Sequence, residues 1–388
     1  MNKLKKMHIL ILPSWYPNSF NPQSGIFFQE QAEALARNKH MVSVLSIHEI
    51  HRKMIFSRKQ KIYSNKIFYK NNIYTHIIEY PAIPRLYKLR DKIKNKVFRK
   101  MFKKYIKIQG LPDIIHVHSF MVGDFAIWIK KNYNIPYIVT EHFSGFALNT
   151  ISNNNLIKAS HVFKNSNCNI AVSSSFQKFF KNKFNQYFIL IPNIVNINFF
   201  KPINQLRKKE FNFINIGFLN ENKNQSMLIK AFTSSFIGQL DIKLTIVGDG
   251  SEYVRLRTLI KQLNMQKQIQ LYGRANREQV RNLLQNSDAF VLSSKYETFG
   301  IVVIEALSCG LPVVVTKCGG VEDIVVSSKL GLISDINQKC LSENLINLLK
   351  NKSNYNKNYI SEYVKNNFSE EVVIKRVEKI YRKVIEKS

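Results

Sequence analysis

The chain has 388 residues and a formal net charge of +32; 45% of its residues are hydrophobic and 12% are aromatic. Because this apolar content is well above that of a disordered chain, and the length exceeds what one core usually serves, we expect two globular α/β domains. The cysteines form no C-x-x-C pair and have no histidine at metal-ligand spacing, which argues against a disulfide framework or a metal site and predicts reduced, buried thiols in the cytoplasm. They are Cys168, Cys309, Cys318 and Cys340.

The amino-terminal element is predicted to be a strand. The apolar run at residues 8–12 follows a group of lysines but is too short to be the core of a signal peptide. The richest apolar stretch of the chain, residues 299–315, is interrupted by Glu305, Gly310 and Pro312, so it does not reach the length that a membrane-spanning helix needs. We therefore expect a protein that does not span a membrane.

The first half alternates apolar runs with helical patterns. Residues 7–46 read as a strand, a loop, an amphipathic helix and a second strand, which is a β-α-β unit and predicts a parallel sheet. Later apolar runs are typical of strands that are buried on both faces. Together they predict an N-terminal Rossmann-like domain over residues 1–195. The helices are predicted at 27–38 and 175–184, and the further strands at 42–47, 113–119, 136–140, 171–173 and 188–192.

One segment carries half of the net charge. Residues 51–110 contain 18 Lys or Arg but only Glu79 and Asp91 as acids, which gives +16. Within it, residues 84–108 place apolar side chains at spacings of three and four, which predicts a basic amphipathic helix. Either this helix packs on its own domain with a solvated basic face, or it lies on anionic lipid headgroups. The apolar positions are Leu86, Leu89, Ile93, Val97, Met101 and Tyr105.

The second half repeats the α/β alternation after a linker. Residues 196–212, with Pro202 and a cluster of charges at 207–210, are typical of an interdomain linker. The alternation that follows predicts a second Rossmann-like domain over residues 205–365 and a C-terminal helical segment, 366–388. The strands are predicted at 213–217, 243–247, 269–272, 289–292 and 312–315, and the helices at 225–235, 252–263, 277–285, 299–307 and 370–386.

Three glycine-bearing turns follow strands of the second half. An open parallel sheet binds ligands outside the carboxyl ends of its strands, where glycine turns and helix N-termini offer backbone N–H groups to phosphates. None of the three turns matches G-x-G-x-x-G or a P-loop. They contain Gly217, Gly248 with Gly250, and Gly319 with Gly320.

The sharpest chemical signal is a pair of carboxylates. Glu297 and Glu305 flank the residues 298–300, which places one in a loop and the other about two turns into a helix. Both can face one pocket, where carboxylates accept hydroxyls of a sugar or ribose and the helix N-terminus at Phe299 and Gly300 meets phosphates. Two solvated helix carboxylates are the alternative interpretation.

These features belong to an ordered series of short motifs. In the second half the series is GFLNENKN at 217–224, IVGDG at 246–250, YG at 272–273, ETFG through EA at 297–306, GLPVV at 310–314 and GG at 319–320. In this order the motifs resemble glycosyltransferase family 4 of the GT-B fold, whose signature combines E-x7-E with an upstream G-x-L-x-x-x-K. The first half is similar to the family more loosely, at residues 16–25, 30–32, 112–118 and 140–142.

The resemblance implies a fold and a division of labour. Two Rossmann-like domains would face each other across an interdomain cleft, with the acceptor bound by the N-terminal domain and the nucleotide sugar by the C-terminal one. The C-terminal helix would cross back to the first domain.

The resemblance also implies roles for single residues. Lys223 would contact the donor diphosphate, Glu297 would approach the transferred sugar, and Glu305 would hold the ribose. Lys223 has a physical rationale, since a compact ammonium group offsets the negative charge that grows on a leaving diphosphate; a surface lysine in a polar loop is the alternative. Gly25 is expected near the donor phosphates and His142 at the rim where the sugar reacts, with a helix-start glycine and a satisfied strand-end histidine as the alternatives.

The complete predicted site follows from these roles and motifs. The predicted catalytic residues are His142, Lys223 and Glu297. His116 and His118, which alternate on one strand, are expected to be structural. No metal and no cofactor are expected, because the lysine serves the leaving group and no D-x-D is apparent. The predicted donor-binding residues are Gly25, Gly217, Lys223, Gly248, Gly273, Arg274, Glu297, Phe299, Gly300, Ile301 and Glu305.

Two positions depart from the family pattern. Phe218 stands where the family often has an arginine, and Ile194 where it often has a glycine. The first departure removes a cation from the diphosphate clamp, and Arg274 or Lys295 is the candidate substitute. The departure also keeps an inactive scaffold of the same fold among the alternatives.

The predicted function is a retaining glycosyltransferase, with a nucleotide-sugar donor and a saccharide or lipid-linked saccharide acceptor in surface polysaccharide or lipopolysaccharide synthesis. A nucleotide-sugar epimerase of the same fold is the other enzymatic alternative. We expect a cytoplasmic protein, with the inner face of the cell membrane as a peripheral location if the basic helix docks on lipid. No nucleic-acid partner is expected, since no aromatic-interleaved basic motif or known nucleic-acid module accompanies the charge.

Overall fold

A computed structural model of the chain describes residues 6–19, 21–50, 63–82, 87–203 and 209–388. They fall into two compact units. Unit 1 comprises Met1–Ala171, Phe179–Ile191 and Ile374–Ser388, and unit 2 comprises Val172–Lys178 and Pro192–Val373. Among the described residues, no helix combines the length and the apolar character that crossing a membrane requires.

Unit 1 is built on an eight-stranded sheet in the order β3-β4-β2-β1-β5-β6-β7-β8. The central strands are buried along their length, which explains their near-continuous apolar sequences. The strands are β1 (His8–Pro13), β2 (Met41–Ile50), β3 (Ser64–Lys70), β4 (Ile73–Pro81), β5 (Ile114–His118), β6 (Tyr137–Glu141), β7 (Cys168–Ala171) and β8 (Ile189–Leu190); the helices are α1 (Ile26–Arg37), α2 (Tyr87–Gln109), α3 (Gly123–Tyr133) and α4 (Asn153–Asn165). Helix α5 (Ser174–Phe184) contributes its residues from Phe179 onward to unit 1.

The expectation of a purely parallel sheet in the first half is wrong at one edge. Strand β3 pairs antiparallel with β4, whereas β4 pairs parallel with β2. The two strands are joined through Asn71 and Asn72, whose φ angles of 53° and 62° suit a two-residue hairpin turn that asparagine tolerates. Most residues of β3 are exposed, so the strand lacks the apolar run by which strands were predicted.

The predicted basic helix is present, and the later part of its apolar face is buried. Phe98, Met101, Phe102 and Tyr105 of α2 are buried in unit 1, and the ring of Phe98 stacks on Phe125 with centroids 3.8 Å apart. The described part of the helix begins at Tyr87, so the predicted start at 84–86 lies outside the described residues. Of the two interpretations of this helix, packing on its own domain is correct for the later part of the apolar face, whereas Leu89 is 45% exposed and, with the basic face, is left for a partner.

Unit 2 contains a six-stranded, wholly parallel sheet in the order β11-β10-β9-β12-β13-β14. Its strands β9, β10, β12 and β13 form the buried centre. The strands are β9 (Phe211–Ile216), β10 (Ile242–Val247), β11 (Ile269–Gly273), β12 (Ala289–Leu292), β13 (Val313–Thr316) and β14 (Gly331–Ser334); the helices are α6 (Gln225–Phe236), α7 (Tyr253–Gln262), α8 (Arg277–Gln285), α9 (Ile301–Ser308), α10 (Gln338–Lys350) and α11 (Lys357–Phe368).

The last helix, α12 (Glu370–Ile385), contributes its residues from Ile374 onward to unit 1. Within that unit His40 Nε2 lies 2.9 Å from Glu378 Oε1, and His116 Nδ1 lies 2.6 Å from the Tyr381 hydroxyl. These buried polar contacts attach the C-terminal turns of the chain to the strands of the first sheet.

Several other expectations need correction. The strand predicted at 171–173 lies at Cys168–Ala171, because Ser174 already begins α5. The linker predicted at 196–212 is shorter at both ends: the ring of Phe200 is buried and Phe211 begins β9, while 204–208 lie outside the described residues. All four cysteines are free as expected, but Cys168 and Cys340 are only partly buried.

Candidate functional site

The glycine turns of unit 2 lie at the carboxyl edge of its sheet and are hydrogen-bonded to one another. Gly217 N donates to Val247 O at 3.0 Å, Leu219 N donates to Asp249 O at 3.1 Å, and Gly248 N donates to Gly273 O at 2.9 Å. Gly248 has φ +151°, and a Cβ there would overlap the carbonyl of Gly217. Only glycine allows these loops to approach so closely.

The loop after Gly217 is also tied to the loop that follows β12. Lys295 N donates to Asn222 O at 2.7 Å, and Asn222 Nδ2 donates to Tyr296 O at 2.9 Å. Ser293 Oγ donates to the carbonyl of Lys223 at 2.8 Å. The two loops that carry the predicted lysine and the predicted first glutamate are therefore fixed against each other by one backbone hydrogen bond and two side-chain hydrogen bonds to backbone carbonyls.

Lys223 and Glu297 form an ion pair at this junction. Lys223 Nζ lies 2.5 Å from Glu297 Oε1, and Ser294 Oγ donates to the same oxygen at 2.6 Å. Both charged side chains are partly accessible, at 21% and 13% of their areas. Glu297 is held on its backbone side as well, because Gly320 N donates to its carbonyl at 2.9 Å. Ser294 escaped prediction, since a serine after a strand carries no specific signal.

Glu305 lies deeper and has a partner that the sequence did not indicate. It is the fifth residue of α9, about one turn into the helix rather than two, because Gly300 (φ +98°) precedes the first helical residue. Glu305 is 3% exposed, and its carboxylate accepts a hydrogen bond from Arg277 Nη1 at 2.5 Å. Arg277, at the start of α8, also stacks over the ring of Phe200 at 4.6 Å. Nothing in the spacing of Arg277 and Glu305 predicts this pairing.

The residues between the two glutamates contribute backbone rather than side chains. Phe299 is buried against Phe368, with ring centroids 5.9 Å apart, so its ring belongs to the core. Gly300 forms the left-handed entry to α9, and a Cβ there would lie 2.8 Å from Val321 Cγ1. Ile301 begins the helix, which leaves the N–H groups of its first turn available for an anion.

The position that departs from the family pattern faces solvent. Phe218 is 68% exposed, and its carbonyl accepts a hydrogen bond from Gln225 Nε2 at 3.1 Å. Lys295, one of the two candidate substitute cations, borders a cavity of about 300 Å³ beside the loop at residues 217–224. Arg255 borders the same cavity. Arg274 follows Gly273 (φ +86°) at the end of β11.

The two predicted site residues of unit 1 lie close to one aromatic cluster. Gly25 has φ +64° and precedes α1, and a Cβ there would overlap the carbonyl of Trp15. Its neighbours in the helix, Phe27 and Phe28, place their rings 5.3 and 4.9 Å from that of His142. Burial and the nearby His116 lower the pKa of His142 to about 3. His142 is therefore a neutral hydrogen-bonding group at physiological pH.

The neighbouring histidines are buried among protein groups. His116 bonds the Tyr381 hydroxyl and, through Nε2, Thr140 Oγ1 at 2.7 Å, which fits its predicted structural role. His118 Nδ1 lies 3.3 Å from His142 Nε2 and so orients that ring, whereas His118 Nε2 is buried without a partner among the described residues. Burial lowers the pKa of both His116 and His118.

The site residues of unit 2 thus offer one ammonium group, two carboxylates and several backbone N–H groups at one sheet edge. This set can bind phosphates and hydroxyls. In the parts of the chain that the structure covers, no group of three or more His, Cys, Asp or Glu could hold a metal ion.

Comparison with known proteins places both halves in one family. The model described as Glycosyltransferase Family 4 matches residues 24–199, and the model described as Glycosyl transferases group 1 matches residues 196–366. N-acetyl-alpha-D-glucosaminyl L-malate synthase of Bacillus anthracis is 26% identical over 381 residues, which cover 93% of this chain and 94% of that protein.

Solved GT-B glycosyltransferases share the fold. Sucrose-phosphate synthase from Thermosynechococcus elongatus superposes with a TM-score of 0.80 at 20% identity, over 98% of this chain and 100% of that one. Anabaena HepE, solved in complex with UDP and glucose, superposes with a TM-score of 0.73 at 18% identity, over 97% of this chain and 100% of that one. The predicted fold class and the predicted family are confirmed.

Proposed function

The chain belongs to glycosyltransferase family 4, and on this premise we propose that it transfers a sugar, with retention of anomeric configuration, from a nucleoside-diphosphate sugar to a hydroxyl of a saccharide or lipid-linked saccharide. The observation that carries the proposal is the arrangement of Lys223, Ser294 and Glu297 beside the glycine turns of unit 2. It combines a cation for a leaving diphosphate with a carboxylate for sugar hydroxyls.

The proposed reaction exchanges one bond to the anomeric carbon for another. The bond from that carbon to the diphosphate oxygen breaks, and a bond to the acceptor oxygen forms on the same face. The acceptor proton passes to an oxygen of the leaving diphosphate, so no protein base is required. Lys223 offsets the charge that develops on the diphosphate, and the N–H groups at Gly300 and Ile301 share in this. No metal or cofactor takes part.

The remaining predicted residues orient the substrates. Glu305 accepts the ribose hydroxyls, and its pairing with Arg277 supports this role because the hydrogen bond holds the buried carboxylate in place. His142 is neutral and hydrogen-bonds the sugar. Among the relatives, HepE was solved with UDP and glucose, which makes a UDP-sugar the first donor to examine.

The acceptor is proposed to belong to surface polysaccharide or lipopolysaccharide synthesis, reached at the inner face of the membrane. Support comes from α2, whose basic side chains are exposed while Phe98, Met101 and Phe102 are buried, so contact with lipid would be chiefly electrostatic. The exposed cations of the helix are Lys92, Lys96, Arg99, Lys100, Lys103, Lys104 and Lys107.

Membrane contact can be measured by co-sedimentation with phosphatidylglycerol vesicles, with phosphatidylcholine vesicles as the reference. Replacing Lys100 and Lys103 with glutamine should weaken binding by roughly tenfold or more, since each basic residue near an anionic surface contributes about 1 kcal/mol. The matched control replaces Lys339 and Lys350, two exposed lysines of unit 2. Equal binding by the two double variants would remove α2 from the proposal.

The donor proposal is tested by calorimetry with UDP, GDP and ADP and their common hexose conjugates. We expect one nucleotide class to bind and Glu305→Ala to lose most of that binding, while Glu343→Ala, at an exposed glutamate of α10, leaves it unchanged. Product analysis with the donor that binds then separates transfer from epimerisation. A purified protein that binds none of these nucleotides would instead be an inactive scaffold.

A further inference from the structure

One cation near the carboxyl end of β2 has no hydrogen-bond or ion-pair partner among the described residues. Lys94, on α2, is partly buried, and within the described residues its ammonium group makes no hydrogen bond and no ion pair. It lies 5.8 Å from the centroid of the Phe125 ring. A desolvated charge without a partner is costly, so such a group calls for a ligand.

Of the carboxylates near Lys94, that of Glu49 is already occupied, whereas that of Asp91, three residues earlier on α2, is exposed to solvent. Glu49 accepts from Arg90 Nε at 2.6 Å through one oxygen and from the Tyr80 hydroxyl at 3.0 Å through the other. Asp124 is paired with Lys158 at 2.7 Å. The pKa of Lys94 is lowered by burial and by the neighbouring cations, although Glu49 opposes this.

A neutral hydrogen-bonding group lies beside this cation. His48, near the end of β2, places Nε2 3.0 Å from Ser46 Oγ, and its other ring nitrogen has no partner among the described residues. The pKa of His48 is lowered to about 4, chiefly by burial, with Glu79 opposing and Lys94 adding to the shift. His48 is therefore uncharged at neutral pH and can bond a hydroxyl or a protonated oxygen.

We propose that Lys94 and His48 form a subsite for an anionic group, a phosphate or a carboxylate, carried by the acceptor. The ammonium group of Lys94 neutralises the anion, and His48 bonds one of its oxygens or an adjacent hydroxyl. The position fits a ligand site, because open parallel sheets bind ligands outside the carboxyl ends of their strands. The inference rests on the proposed function in one respect, the identification of the ligand as the sugar acceptor. It narrows the acceptor to a saccharide that carries a carboxylate or a phosphate.

The test is calorimetry of the full chain with inorganic phosphate and, separately, with malonate. The donor site is first saturated with the nucleoside diphosphate that binds it, so that the titrated anion reports another site. Lys94→Met removes the charge and keeps an apolar chain of similar length. Its affinity for the anion should fall about tenfold or more, the size expected for losing a hydrogen bond to a charged group.

Two further variants make this result specific. Lys96→Met removes a fully exposed lysine from the same helix and should change anion affinity less than about twofold. Lys94→Arg keeps the charge and should recover part of the affinity. Nucleotide binding should be unchanged in all three variants, so failure of the subsite and failure of the donor proposal are read separately.

The source of the anionic group is separated by two more titrations. Lys94-dependent binding of glycerol phosphate assigns the subsite to a soluble acceptor, and Lys94-dependent binding of phosphatidylglycerol vesicles assigns it to a lipid-anchored one. Anion affinity that is equal in wild type, Lys94→Met and Lys96→Met would overturn the proposal. So would the absence of phosphate and malonate binding in a wild-type protein that still binds nucleotide.

Discussion

In unit 2, the charged side chains of the candidate site are paired with one another: Lys223 with Glu297, and Arg277 with Glu305. In unit 1, the corresponding sheet edge carries uncharged imidazoles, such as His142, and the ammonium group of Lys94, which forms no ion pair with any described residue. In unit 2 the protein therefore supplies both the positive and the negative charges of the site. In unit 1 the proposed anionic ligand supplies the negative charge.

The two units also differ in what fixes their loops. Unit 2 holds its loops by backbone hydrogen bonds between glycine turns, which constrains the residue type at each turn. Unit 1 orders its sheet edge through buried rings and histidines. All nine histidines of the chain, and both tryptophans, lie before residue 162. Titration of the histidines and emission from the tryptophans can therefore be used to compare unit 1 with unit 2.

Acidification should affect unit 1 first and most. His116 and His142 have pKa values lowered to about 3, so the folded unit excludes protons that the unfolded chain takes up near pH 6.5. Stability is therefore lost as pH falls from about 6.5 towards 3, at about 1.4 kcal/mol per pH unit for each such histidine. Emission from Trp15 and Trp128, which reports unit 1 alone, should change at a higher pH than the bulk of the far-ultraviolet circular dichroism.

The exposed His161 provides the control for this titration. His161→Gln should leave the midpoint of the tryptophan transition where it is. If the tryptophan signal changed together with or after the loss of overall secondary structure, the buried histidines would not distinguish unit 1.

Gly248→Ala should disable unit 2. The added Cβ would overlap the carbonyl of Gly217 while the backbone is held at φ +151°, so we expect a loss of more than about 3 kcal/mol and of nucleotide binding. Gly238→Ala is matched, since that residue also has a positive φ (+81°) but no atom within 4 Å of a Cβ. It should cost about 1 kcal/mol and leave binding intact. Equal unfolding midpoints for the two variants in urea would contradict the close approach of the loops.

This contrast also explains what could be predicted from sequence. Gly248 and Gly300 were identified, and at both positions a positive φ and the lack of room for a Cβ favour glycine over other residue types. The partner of Glu305 was not, because Arg277 lies on another helix, 28 residues earlier in the chain, and many residues could start α8. Strand β3 was missed for a related reason: an exposed edge strand needs no apolar run.

The candidate site residues of unit 1 were harder to predict from the sequence than its helices and strands. The basic helix was anticipated from periodicity, and its buried face follows from the same pattern. Whether Lys94 of that helix is solvated or desolvated depends on Phe125 and Glu49, which lie on other elements. Contacts between residues on different elements cannot be read from the spacing of residues within one helix.

Lys223→Met should reduce turnover by about 10²- to 10³-fold, the effect of removing one group that stabilises charge in a transition state. Nucleotide affinity should change less than the rate, because the charge on the diphosphate grows only as the sugar bond breaks. Lys230→Met, at an exposed lysine of α6, is the control and should be fully active. Steady-state release of nucleoside diphosphate measures both. A fall confined to the affinity for donor would show that Lys223 binds the ground state only.

Arg277→Leu should have the smallest effect of the series, a weakening of nucleotide affinity by about tenfold. The loss should fall on the ribose, so the preference for a ribonucleotide over its 2′-deoxy analogue should decrease as well. Arg281→Leu is matched, since Arg281 stacks on Phe199 at 4.6 Å, one turn further along the helix, and its guanidinium group bonds Asn282 Oδ1 and no carboxylate of the described residues. If both variants behaved alike, stacking rather than the Glu305 pair would account for the effect.

The most direct test of the account is hydrogen exchange of the full chain with and without the nucleoside diphosphate that binds it. The account predicts slower exchange at the loops of unit 2 around Gly217 to Lys223, Gly248 to Gly250, and Glu297 to Ile301. It predicts no change at the end of β2 or around Lys94, where the acceptor anion is proposed to bind. Protection confined to unit 1, or protection at the end of β2 and Lys94 with none in the glycine turns, would contradict it.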